Sequence, residues 1–66
     1  MIDDPDIIRA AQLMLDQHGD EASRRATRRA NDLERGGDSD ACAIWRQVVA
    51  AVEELHRGRR EGEAVN

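Results

Sequence analysis

The segment SRRATRRA (23–30) sets Arg24, Arg25, Arg28 and Arg29 within eight residues. A guanidinium is a planar, permanently charged fork that matches the oxygens of phosphate or carboxylate. Such a cluster could grip nucleic acid or an anionic partner. At 100° per residue on a helix the four arginines share an arc of about 140°, beside a stripe of Ala22, Ala26, Ala30 and Leu33. The arc therefore points to solvent. Acids share it: Glu21 can pair with Arg25, and Arg28 with Asp32, at i,i+4 spacing. Arg24-Arg25-Ala26-Thr27 is similar to a basophilic kinase site, yet Thr27 falls mid-helix and nothing else supports that role.

The other residues able to do chemistry are few. His18, Cys42 and His56 are spaced unlike any zinc pattern, so no metal ligand set is assigned. Cys42 follows the cap of a helix, where the dipole can favour a thiolate, but no His or Lys stands near it in sequence. The neighbouring acids, such as Asp38 with Asp40 and Glu53 with Glu54, belong to helix starts or polar faces. Gly36-Gly37 lacks the preceding strand and following Lys of a phosphate loop. No nucleophile, base and acid can be assembled, so no catalytic residue, cofactor or small-molecule substrate is expected. Trp45 is the single aromatic residue; it either fills core volume or anchors an interface.

Three helices must position these groups. The first, about 5–18, starts at Asp4 with Pro5 in the first position and Asp6 at the positive dipole end. Ile7, Ile8, Ala11, Met14 and Leu15 form its apolar stripe, and Gly19 stops it. Asp20 reads as the cap of a second helix, about 21–35, which ends at Gly36 and Gly37. Asp38 or Ser39 caps the third, about 39–57. Its apolar positions, from Ala41 through Ile44, Trp45, Val48, Val49, Ala51 and Val52 to Leu55, cover nearly half the circumference. A surface helix needs less. The third helix is thus either the central element or has an outward face to share. The expected fold is all-α: a small three-helix bundle over 1–58 with a disordered tail over 59–66.

Bulk properties narrow the function. A chain of 66 residues makes one domain with a thin core, which disfavours a site deep enough to exclude water. One cysteine allows no internal disulfide, the acidic start MIDDPDIIR has no signal pattern, and no apolar run could span a bilayer. A cytoplasmic setting is the expectation. All ten basic residues are Arg, which we attribute to codon usage. Net charge is −4, and only the middle segment is basic: residues 21–37 hold five Arg against three acids.

Helix, glycine turn, helix also suggests a DNA-binding helix-turn-helix. In that motif apolar residues stand about six and nine positions after the turn glycine. Counting from Gly19, those positions are Arg25 and Arg28. The register fails, and together with the acidic balance it argues against nucleic acid.

The strings QHGDEA (17–22), RANDL (29–33), GGD (36–38) and IWRQVVAAVEEL (44–55), in this order and spacing, resemble a family of short bacterial proteins of unknown function, found mainly in alphaproteobacteria. The resemblance covers about residues 7–57. It implies a bacterial cytosolic helical protein and carries over no catalytic residue. Arg29 fits the family-like string, whereas Arg24, Arg25 and Arg28 look like additions. The sequence as a whole points to a non-catalytic protein-interaction module. It would contact a protein partner, or a second copy, through Trp45, Val49 and Cys42 of the third helix. The alternative is a nucleic-acid or anionic-partner accessory acting through Arg24, Arg25, Arg28 and Arg29.

Overall fold

A computed structural model describes residues 4–65, with side chains through Gly58. The chain is all-α, and no strand occurs among the described residues. The element order is α1 (Pro5–His18), a 3-10 turn (Gly19–Glu21), α2 (Ala22–Arg35) and α3 (Ser39–Val65).

Helix α1 begins as its sequence dictates. The Asp4 side chain accepts from the backbone N–H of Asp6 at 2.9 Å, and Pro5 opens the first turn. It buries Ile7, Ala11 and Leu15, and it ends at Gly19 with φ +55°.

The junction that follows differs from the expected one. The stop at Gly19 leads directly into a 3-10 turn rather than a helix start capped by Asp20, so 5–35 is one helical stretch redirected at Gly19. The chain is thus helical in two unbroken stretches, not three. Glu21, not Asp20, occupies the cap position of α2, and its side chain makes no capping bond. Asp20 is directed elsewhere: its carboxylate meets His56 Nε2 of α3 at 2.9 Å.

The α2–α3 corner is compact. Gly37 takes φ +84°, Asp38 N–H donates to the Leu33 carbonyl at 3.0 Å, and Gly37 N–H donates to that of Glu34 at 3.1 Å. This pair of bonds is a Schellman ending, which requires a left-handed residue that glycine supplies without a Cβ penalty. Asp38 then caps α3 by accepting from Ala41 N–H at 3.1 Å. Across the corner, Arg46 of α3 pairs with Glu34 of α2 at 2.7 Å.

Packing on two sides accounts for most of the over-wide apolar arc of α3, with Ile44 left exposed. Both α1 and α2 pack along it, while they meet each other far less. One helix flanked on two sides needs two buried strips. Val48, Ala51 and Val52 of α3 close with Ile7, Ala11 and Leu15 of α1 and with Ala22 and Ala26 of α2. Alanines at full burial let the backbone of α2 approach closely, but little side-chain volume fills the interior. The largest fully buried side chains are the valines Val48 and Val52.

Over 59–65, part of the tail expected to be disordered, the described backbone is helical. Helix α3 passes through Gly58 and stays helical to Val65; Asn66 lies outside the described residues. Positive φ among the described glycines occurs only at Gly19 and Gly37, so Gly58 does not form a stop. A helical glycine costs roughly 1 kcal/mol relative to alanine, which good helix formers such as the Arg, Glu and Ala that follow can offset. At 27 residues α3 is about 40 Å long, so it is nearly twice the length of α1 or α2.

Candidate functional site

The arginine face of α2 follows from the packing opposite it. Ala22, Ala26 and Ala30 are fully buried, which turns Arg24, Arg25, Arg28 and Arg29 outward; all four are exposed. The expected i,i+4 pairs do not form. Glu21 does not pair with Arg25, and Asp32 pairs with Arg35 rather than with Arg28. Among the described residues, Arg24, Arg25 and Arg28 therefore have no ion-pair partner.

Arg29 is set apart from the other three. It lies nearest the buried stripe, and its guanidinium sits over the Trp45 ring at 6.0 Å from the centroid. That cation–π contact joins α2 to α3 and covers an indole face. The four-arginine cluster is thus three free guanidinium groups and one docked on an aromatic ring. Sequence reasoning missed this division. Its signal was present, because Arg29 is the member of the arc nearest the alanine stripe.

A shallow open groove of about 730 Å³ runs between these side chains, with Thr27, Asn31 and Asp32 also lining it. Every wall belongs to α2 or to Glu21 just before it. Such a groove has no opposite side, so it cannot enclose a small molecule. It can receive an extended anionic chain laid along the helix.

The residues expected to form a contact surface on α3 are differently placed. Cys42 is buried, beside a cleft of about 300 Å³ at the α2–α3 corner. Trp45 and Val49 are half-buried and pack against the core. Their apolar surface is largely spent inside the molecule. Ile44, the residue before Trp45, is 52% exposed.

No group of three or more His, Cys, Asp and Glu side chains is arranged to hold a metal among the described residues. No described helix is long and apolar enough to cross a membrane. His56 is engaged with Asp20 at the α1–α2 turn.

Fold and face together define a small all-α protein of net charge −4 with a basic surface on α2. No family model, no curated protein and no solved structure matches it.

Proposed function

We propose that this protein is a small, non-catalytic interaction module, an all-α bundle that meets an anionic partner through Arg24, Arg25 and Arg28 of α2. One observation carries this reading: among the described residues, the three exposed guanidinium groups share a face and form no ion pair. Unpaired arginines keep their full charge for a partner, whereas paired ones would first have to give up a bond. Arg29 flanks this surface and is held by Trp45. A cytoplasmic setting and a bacterial source, as the resemblance implies, suit a module of this kind.

Retention on a polysulfated matrix, released by salt, tests the reading. The wild-type chain is expected to bind at low salt and to elute as salt rises. The triple variant Arg24→Gln/Arg25→Gln/Arg28→Gln is expected to flow through. Equal retention of both chains would overturn it.

A contact through α3 is the second reading, favoured by the half-exposed Ile44 next to Trp45. It predicts self-association or protein binding that Ile44→Ser weakens. Sedimentation that shows a strict monomer for both chains, together with unchanged partner binding, would remove it.

A further inference from the structure

We infer that the arginine face of α2 takes the phosphate backbone of a nucleic-acid duplex; the inference rests on the anionic contact face proposed above. The make-up of the face selects this partner over an acidic protein. Protein interfaces draw their affinity from buried aromatic or aliphatic anchors, with charge pairs at the rim contributing little. This surface has no such anchor. Ala22, Ala26 and Ala30 are fully buried, Leu33 is half-buried, and Trp45 lies beneath Arg29. Phosphate backbones need no apolar anchor. They are bound by guanidinium groups that displace condensed counterions, without regard to sequence.

The geometry agrees. Arg24 and Arg28 stand one helical turn apart, about 6 Å along the axis, close to the step between successive phosphates on a strand. Arg25 extends the surface sideways. Asn31 and Thr27 line the same groove, and side chains of both types donate to phosphate oxygens. A single strand fits less well. Its binding sites stack bases on open aromatic rings, and this chain has no Phe or Tyr and one half-buried Trp with Arg29 over its ring.

The net charge of −4 does not abolish the local field. Asp6 and Asp16 lie on α1, and Asp40, Glu53 and Glu54 on α3. Exposed charges beyond a screening length of roughly 8 Å at physiological salt are largely masked. On the face itself, Asp32 is engaged by Arg35, which leaves Glu21 as the acid opposing the free arginines. The failed helix-turn-helix register is no obstacle, because backbone binding requires no recognition helix seated in the major groove.

Fluorescence anisotropy with a labelled mixed-sequence duplex, titrated at several salt concentrations, tests the inference. Three phosphate contacts predict a slope of about −3 in log Kobs against log salt. Arg24→Gln/Arg25→Gln/Arg28→Gln is expected to lose at least about tenfold in affinity near 50 mM salt. A control, Arg9→Gln/Arg57→Gln, removes charge from exposed positions on α1 and α3 and is expected to lose less. Glutamine is a good helix former, and circular dichroism verifies that each chain keeps its helices. No duplex binding at low salt, a flat salt dependence, or equal losses in variant and control would overturn the inference. A parallel titration with polyglutamate separates the two levels. Polyglutamate bound more tightly than duplex, and released by the triple variant, would sink the phosphate assignment and leave the anionic face standing. Neither polymer bound would sink both.

Discussion

The Arg29 guanidinium lies 6.0 Å from the centroid of the Trp45 ring and couples the basic face of α2 to the core-lining side of α3. This contact withdraws one arginine from the surface and shields the single tryptophan of the chain. Arg29→Gln is expected to uncover the indole, shift its emission to longer wavelength and cost about 0.5–1 kcal/mol of stability. Intrinsic fluorescence during urea unfolding reads both at once. Unchanged emission would mean that Arg29 does not cover the ring in solution.

Two glycines predict effects of opposite sign. Gly37 holds φ +84° at the Schellman ending, so Gly37→Ala should destabilise by about 1–2 kcal/mol. Gly58 lies within α3, has no positive φ, and a Cβ there would meet nothing within 4 Å. Gly58→Ala should stabilise by about 0.5–1 kcal/mol. Thermal melts of both variants suffice. A neutral Gly58→Ala would indicate that α3 ends near that residue in solution.

The aspartates preceding α2 and α3 also separate. Asp38 caps α3 through Ala41 N–H, so Asp38→Ala should cost about 1 kcal/mol. Asp20 caps nothing and makes an exposed contact with His56, so Asp20→Ala should cost less, about 0–1 kcal/mol. Denaturant midpoints of the two variants give the ranking, and a reversed order would contradict the assigned roles.

Close approach of α2 to its neighbours depends on a side chain no larger than a methyl group. Ala26 is fully buried in the core cluster. Ala26→Leu adds volume that the packing has no room for, and overpacking of this kind costs about 1–3 kcal/mol. A melting temperature equal to or above that of wild type would show that α2 stands further off than the structure places it.

Much of the local structure was legible in the chain. Asp4-Pro5-Asp6 starts α1, the Gly19 stop ends it, and Gly36-Gly37-Asp38 marks the corner before α3. Each works through backbone conformation or a bond to a residue two to five positions away, so sequence alone suffices. The alanine stripe at 22, 26 and 30 was equally clear, because burial on one helix face follows a fixed period. The roles of Asp20 and Gly58 were not. An acid after a helix stop is an excellent cap in isolation, but a 3-10 turn leaves no cap position for Asp20 and brings it to His56, 36 residues away. Glycine permits a helix stop without requiring one.

The candidate site divides in the same way. That four arginines share an exposed arc was set by the helical period and the stripe opposite. Which of them are free was not, since Glu21 stands about one turn from Arg24 and Arg25, and Asp32 about one turn from Arg28 and Arg29, so each guanidinium has an acid within reach in sequence. Tertiary packing decided it. Helix α3 lies between α1 and α2, which places Trp45 under Arg29 and Arg46 against Glu34. The same packing accounts for most of the wide apolar arc of α3, which the sequence left open between a central position and an outward face; Ile44 stays outward. Periodicity records which side of a helix is buried; it holds no information on how many neighbours do the burying, because that depends on contacts between residues far apart in the chain.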